Sequence, residues 1–127
     1  MFILLILSDL LFRSRIDDAA RHAGVALRVA KSMEQLERHL GNGIPAMAIV
    51  DLEIDTMDPT AAIRRLRELP GGDALPVIAY AGHTNVAAIQ AGRAAGAGVV
   101  LARSAFVAQL PALLARVASA ARPAAES

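Results

Sequence analysis

Two aspartates follow apolar runs that are typical of buried strands. Asp9 comes just after the run of residues 2–7, and Asp51 directly ends the run of residues 46–50. If two such carboxylates converge, they repel each other and need a compensating cation. Oxygen ligands around an open site suit Mg²⁺, and an aspartate beside Mg²⁺ can accept a phosphoryl group. Asp9 and Asp51 are therefore candidates for metal binding and phosphoryl transfer.

The same two aspartates also have a purely structural interpretation. Aspartate is a common residue at helix N-caps, so Asp9 is equally suited to cap the helix that follows it. Asp51 is equally suited to accept hydrogen bonds from amides of the next loop. The spacing alone leaves both interpretations open.

Short apolar runs alternate with longer amphipathic stretches along the rest of the chain. Gly24, the Ser32 to Gln35 capping box and the Asp58-Pro59 pair mark helix ends. The predicted strands are residues 2–7, 25–29, 46–50, 75–80 and 99–101. The predicted helices are residues 10–23, 32–40, 58–69 and 85–95, followed by a last helical segment that extends to about residue 121.

Two details of these elements lead to specific expectations. Pro111 lies within the last helical pattern, where it would remove a hydrogen bond. We therefore expect a short turn over residues 105–109, with Ser104 as N-cap, and a new helix starting near Leu110. Tyr80 ends a buried strand, so its ring should be packed with the hydroxyl at the rim.

Strict alternation of strands and helices predicts an α/β fold, a doubly wound five-stranded parallel sheet with helices on both faces. Ligands of such sheets collect at the carboxyl ends of the strands. Asp9, Asp51, Ala81 and Arg103 should therefore lie near one another. We expect one domain over residues 1–121 and a disordered tail over residues 122–127.

Composition excludes several classes of protein. The chain has 127 residues, of which 55% are hydrophobic, and this excludes intrinsic disorder. Its 13 basic and 12 acidic residues give no electrostatic signal for nucleic acid binding. It has no cysteine, which excludes a disulfide scaffold. The apolar start is far shorter than the ~20 residues of a membrane span. We expect a cytoplasmic protein that binds neither nucleic acid nor membrane.

Four motifs occur in an order and spacing that resemble a known family. They are the strand ending in Ser8-Asp9, Ile49-Val-Asp51-Leu, Leu75-Pro-Val-Ile-Ala-Tyr-Ala-Gly-His83 and Ala95-Gly-Ala-Gly-Val-Val-Leu-Ala-Arg-Ser104. Together they resemble the receiver domain of bacterial two-component response regulators over about residues 1–121. The resemblance implies a flavodoxin-like, CheY-like fold with strand order 2-1-3-4-5.

The resemblance also implies roles for three acidic residues. Asp51 matches the phosphoacceptor, and Asp9 matches the acidic residue that contacts the metal directly. Glu53 matches the position whose backbone carbonyl completes the metal shell. The implied cofactor is Mg²⁺, bound weakly because Ser8 stands where the family has its first acidic residue.

Four further positions also depart from the family pattern. Ala81 replaces the switch serine or threonine, and Val100 replaces the switch aromatic residue. Arg103 replaces the lysine that pairs with the phosphoryl group, and Ser104 replaces the proline that follows it. Arginine is a wide planar fork and does not simply replace a compact ammonium. Lys31 is the single lysine of the chain, and its place before the second helix is far from the fifth strand.

These departures favour an atypical single-domain receiver that is not an enzyme and acts mainly by protein–protein interaction, with weakened or absent phosphorylation. The alternative is a working receiver in which Asp51 takes a phosphoryl group from a histidine kinase with Mg²⁺. A flavin or cobalamin carrier on the same fold is disfavoured, because the chain has neither a Ser/Thr-rich loop after strand 1 nor an Asp-x-His-x-x-Gly stretch.

The implied partners are a histidine kinase or a downstream effector. Receivers commonly bind partners, or dimerise, through the face of helix 4, strand 5 and helix 5. We expect the small side chains of helix 4 to permit a homodimer there, with Arg93, Phe106 and Gln109 at its rim or as anchors. The sequence leaves open whether the chain is a domain of a longer protein.

Overall fold

The computed structural model describes residues 1–120, which form alternating strands and helices. The strands are β1 (Ile3–Ile6), β2 (Leu27–Ala30), β3 (Met47–Asp51), β4 (Val77–Ala81) and β5 (Val99–Ala102). The helices are α1 (Leu10–Ala23), α2 (Met33–Leu40), α3 (Pro59–Arg67), α4 (Val86–Ala95) and α5 (Arg103–Ala120), with a 3₁₀ turn at Gly72–Ala74.

The strands form one parallel sheet in the order β2-β1-β3-β4-β5. This confirms the predicted α/β class and strand order. The register pairs Asp51 with Tyr80 and Ala81 with Ala102. It therefore brings the carboxyl ends of β3, β4 and β5 together, at the end of the sheet where parallel folds carry their binding and active sites.

Each face of the sheet packs against its own set of helices. Side chains alternate along β1, so Leu4 and Ile6 face the core beneath α2, α3 and α4. Ile3 and Leu5 face the other core, beneath α1 and α5. The uninterrupted apolar run at the start of the chain is therefore a central strand covered on both faces, as predicted.

The predicted helix signals agree with the observed caps. Ser32 Oγ accepts a hydrogen bond from Gln35 N at 3.2 Å, and Asp58 Oδ1 accepts one from Thr60 N at 3.0 Å. Gly24 ends α1 in the left-handed conformation, at a φ of 74°. These contacts satisfy backbone groups that helix ends leave free, so local residues mark the start of α2 and α3 and the end of α1.

The prediction for the last helix was wrong. Helix α5 is continuous from Arg103 to Ala120 with Pro111 inside it, and Ser104 lies within the helix instead of capping a later one. Pro111 is exposed, while the inner face of α5 is buried on both sides of it. That buried stripe comprises Phe106, Leu110, Leu113, Leu114 and Val117. Its burial outweighs the lost hydrogen bond.

Smaller differences affect the strand ends. Strand β2 covers residues 27–30, whereas residues 25–29 were predicted, and β3 and β4 each extend one residue further than expected, to Asp51 and Ala81. Pairing with neighbouring strands decides these ends. The predicted tail of residues 122–127 lies outside the described residues. No described helix is long and apolar enough to cross a membrane.

Candidate functional site

The carboxyl ends of β1, β3 and β5 bring four charged residues together. Asp9 follows β1, Asp51 ends β3, Glu53 follows it by two residues and Arg103 follows β5. Arg103 Nη1 lies 4.0 Å from Asp9 Oδ2, and Arg103 Nη2 lies 3.3 Å from Glu53 Oε1. The structure thus assembles the predicted acidic residues around one arginine.

Asp51 is the buried member of this group, with 5% of its surface exposed. Its Oδ1 accepts a hydrogen bond from Glu53 N at 2.9 Å. Burial raises the pKa of the Asp51 carboxyl above its ordinary value, although the Glu53 amide and the nearby Arg103 charge oppose that rise. Asp51 is therefore a partly desolvated carboxylate.

Asp9 is more exposed and serves as the N-cap of α1. Its Oδ1 accepts hydrogen bonds from Leu11 N at 3.0 Å and Phe12 N at 3.1 Å. Its Oδ2 faces Arg103. The structural roles considered for the two aspartates are therefore both observed. Asp9 caps α1, Asp51 accepts a hydrogen bond from a loop amide, and each residue uses its Oδ1 atom to do so.

Arg103 is held by aromatic rings as well as by acids. Its guanidinium carbon lies 5.2 Å from the ring centre of Phe12 and 5.6 Å from that of Tyr80. Arginine stacks on aromatic faces in this way more readily than lysine, because its charged group is planar and weakly hydrated. The arginine is therefore a fixed cation beside the acidic residues.

Sequence reasoning missed the role of the Glu53 side chain. Glu53 was expected to contribute only its backbone carbonyl, but its carboxylate accepts hydrogen bonds from Gly82 N at 2.8 Å and Asn85 Nδ2 at 3.0 Å. The Asn85 amide, the Gly82 amide and the Arg103 charge lower the Glu53 pKa. The Glu53 side chain, kept as an anion, therefore joins the end of β3 to the loop between β4 and α4.

The other positions that depart from the family pattern carry no replacement for the missing groups. Ala81 ends β4 as a buried methyl group, and the next hydroxyl along the chain, that of Thr84, is on an exposed residue. Ser8 Oγ donates a weak 3.4 Å hydrogen bond to Asp55. Val100 is partly buried against the core beneath α3 and α4. Ser104 is exposed in the first turn of α5.

Two expectations about aromatic residues are corrected. Phe106 was expected at the partner surface, yet it is fully buried and its ring stacks on that of Tyr80 at 4.6 Å. Tyr80 was expected to have its hydroxyl at the rim, but that hydroxyl is buried without a hydrogen-bond partner among residues 1–120. Burial raises its pKa. Arg93 and Gln109 are exposed as expected.

The residues at this site offer few ligands for a metal ion. Residues 1–120 contain no cluster of three or more His, Cys, Asp or Glu residues that could hold one. The two predicted carboxylate ligands, Asp9 and Asp51, lie beside the Arg103 guanidinium. Such a donor set fits weak Mg²⁺ binding in competition with the arginine.

The fold is similar to that of solved receiver domains. The receiver domain of a sensor histidine kinase from Pseudomonas aeruginosa, which has magnesium coordinated in its active site cleft, is 21% identical, with a TM-score of 0.76. That match covers 92% of this chain and 96% of the other. Chemotaxis response regulator CheY4 of Vibrio cholerae is 18% identical, with a TM-score of 0.75, covering 91% of this chain and 96% of its own.

The receiver domain of NtrX from Brucella abortus is 17% identical, with a TM-score of 0.76, and the match covers 92% of this chain and 98% of that domain. No protein-family model and no curated protein sequence matches the chain. At these identities the likeness establishes that the chain has the receiver fold.

Proposed function

We propose that this chain is a non-enzymatic signalling module of the receiver type that binds a protein partner constitutively, with phosphoryl switching weakened or lost. One observation carries the proposal. The Glu53 carboxylate already engages Arg103, the cation at the position that pairs with a phosphoryl group in the family, together with the Gly82 amide. The Glu53 carboxylate is part of the chain and permanently present. It therefore occupies the hydrogen-bond donors of Arg103 and Gly82 that a phosphoryl group on Asp51 would need.

The missing switch groups support the same proposal. Ala81 has no hydroxyl to follow a phosphoryl group, and Val100 has no aromatic ring to change rotamer. A modification at Asp51 would therefore have no side chain at either position through which to alter the surface of α4 and β5. A bistable element is what a switch needs, and these substitutions remove it.

We propose that Asp9, Asp51 and the Glu53 backbone carbonyl would hold Mg²⁺. Mg²⁺ demands octahedral oxygen ligands and keeps several waters, so two carboxylates suffice for a weak site. Arg103 competes for the same negative charge. We infer that Mg²⁺ binds weakly and that the arginine neutralises the site in its absence.

The partner we propose is a histidine kinase or a downstream effector, engaged in the cytoplasm through α4, β5 and α5. Arg93 and Gln109 are exposed on that face, whereas Phe106 is withdrawn into the core. A second copy of the chain is the other occupant of this face. Sedimentation equilibrium at high protein concentration tests the homodimer, and a monomer throughout would exclude it.

A titration with beryllofluoride and Mg²⁺, followed by ¹⁵N NMR, tests the proposed loss of switching. Beryllofluoride mimics an aspartyl phosphate, so a working receiver gives saturable shifts around Asp51 and across α4. We expect beryllofluoride to cause no saturable shifts in the native chain beyond those that Mg²⁺ alone causes. Asp51→Asn, the matched control, should likewise show no response to beryllofluoride. Saturable shifts that Asp51→Asn abolishes would instead establish the phosphoacceptor alternative.

A further inference from the structure

A second cluster of charge lies beside β2, the edge strand next to β1. A groove of about 500 Å³ lies between this edge strand, α1 and α2. None of its lining residues is acidic. Four of them are arginine or lysine, namely Arg13, Arg28, Lys31 and Arg38, and a fifth is His39. For a chain of net charge +1, this is a strong local concentration of positive charge.

The main chain of β2 is only partly covered at this edge. Ala26 O and Ala30 O accept hydrogen bonds from β1, so the alternation of the strand turns the amides and carbonyls of Leu27 and Val29 outward. His39 Nε2 donates to Val29 O at 2.8 Å. Among the described residues, the Leu27 amide, the Leu27 carbonyl and the Val29 amide have no such partner.

We propose that an acidic, extended segment of a partner protein binds this groove by adding a strand to β2. Its main chain would pair with the free groups of Leu27 and Val29, as in other cases of strand addition. Its carboxylates would meet the surrounding arginines in charge-assisted hydrogen bonds. The half-buried Leu27 and Val29 side chains line the groove, and they would contact the apolar side chains of the partner segment.

The local ion pairs leave most of this charge available. Arg38 pairs with Glu34 at 3.1 Å on the exposed side of α2. Arg13, Arg28 and Lys31 make no ion pair within residues 1–120. An incoming acidic segment would therefore meet cations that have no competing carboxylate at contact distance.

The chemistry of the groove favours a peptide over a nucleic acid. Single-stranded nucleic acids bind by stacking bases on aromatic rings as well as by charge. No aromatic residue lines the groove, and Phe2, whose ring centre lies 5.0 Å from the guanidinium carbon of Arg28, is buried. A strand edge with free amides and no exposed ring is better matched to a polypeptide.

The test uses ¹⁵N-labelled native chain and the peptide acetyl-Asp-Val-Glu-Val-Asp-Val-Glu-amide. We expect saturable shifts of the Leu27 and Val29 amides and at least about tenfold slower hydrogen exchange at both. The isosteric peptide with Asn and Gln should bind about tenfold more weakly, and Arg13→Glu or Arg28→Glu should weaken binding by a similar factor. Arg64→Glu, on α3, is the control and should leave binding unchanged.

Three results would overturn the proposal. The first is the absence of saturable binding. The second is binding without protection of the Leu27 and Val29 amides, which would make the groove a cationic surface without strand addition. The third is tighter binding of a short single-stranded DNA with the same amide shifts, which would make it a nucleic acid surface. None of these results depends on Asp51, so the two proposals fail separately.

Discussion

Glu53 Oε1 lies 2.8 Å from the backbone nitrogen of Gly82, a residue 29 positions further along the chain. This hydrogen bond joins the loop after β3 to the loop after β4, and Arg103 reaches the same oxygen at 3.3 Å. The carboxylate therefore fixes the geometry of the candidate site without any bound group. Its role leads to the first prediction.

Glu53→Ala should release the loop between β4 and α4. It removes the acceptor of the Gly82 amide, and a hydrogen bond to a charged group contributes roughly 1.5–3 kcal/mol. Because the site is partly exposed, we expect the low end of that range, or about tenfold faster hydrogen exchange of the Gly82 amide. Exchange measured by NMR checks this.

The pH dependence of the exchange difference provides a control for the Glu53 prediction. The Glu53 pKa is lowered in the folded state, so its stabilisation is present above the ordinary value of 4.5 and is lost as pH falls through the folded pKa. The exchange difference between native chain and Glu53→Ala should therefore shrink in acid. Glu34→Ala, which removes an exposed ion pair on α2, should leave Gly82 exchange unchanged.

Asp51→Asn should stabilise the fold at neutral pH. Burial raises the Asp51 pKa, so folding favours the protonated acid and stability falls as pH rises from the ordinary value of 3.8 through the folded pKa. The neutral amide avoids this loss. We expect a gain on the order of 1 kcal/mol in the free energy of unfolding at pH 7, measured with urea. The gain should disappear below pH 3.8, and a pH-independent gain would contradict this explanation.

Arg103→Ala should strengthen Mg²⁺ binding, because it removes the cation that competes for Asp9 and Asp51. At an effective dielectric of 20, a charge about 4 Å away is worth up to about 4 kcal/mol before solvent screening. Arg103 is 38% exposed, so we expect a gain of about tenfold in affinity. Isothermal titration checks it. Arg21→Ala, in the last turn of α1 and paired with Asp18, should leave the affinity unchanged.

The sequence was informative wherever a residue's role is local. The caps at Ser32 and Asp58, and the burial of residues 3–7, depend on neighbours along the chain or on the alternation of a strand. The strand order followed from the resemblance of four motifs. The convergence of Asp9, Asp51 and Arg103 followed from the rule that parallel strands end at one edge.

The sequence was not informative where contacts link distant residues. Glu53 meets Gly82 and Asn85 across the strand ends, and nothing in its local pattern indicates this. Phe106 appeared to be a surface residue until its stacking on Tyr80 placed it in the core. Such contacts depend on how α5 lies against the sheet, which periodicity does not reveal.

Pro111→Ala should stabilise the chain. Proline in a helix interior is about 3 kcal/mol less favourable than alanine, and Pro111 is exposed, so little packing is lost with its ring. We expect the free energy of unfolding to rise by up to about 3 kcal/mol. Pro59→Ala, at the first turn of α3, should change it far less, because proline suits that position. Equal effects of the two substitutions would contradict this prediction.

Tyr80→Phe tests the aromatic cluster beneath Arg103. The Tyr80 hydroxyl is buried without a partner among residues 1–120, and an unsatisfied buried hydroxyl costs about 1–3 kcal/mol. Phenylalanine keeps the ring that stacks on Phe106 and lies under the guanidinium. The free energy of unfolding should therefore rise by about 1 kcal/mol. Tyr80→Leu, which also removes the ring, should instead destabilise the fold, and a loss in Tyr80→Phe would show that the hydroxyl is hydrogen-bonded in solution.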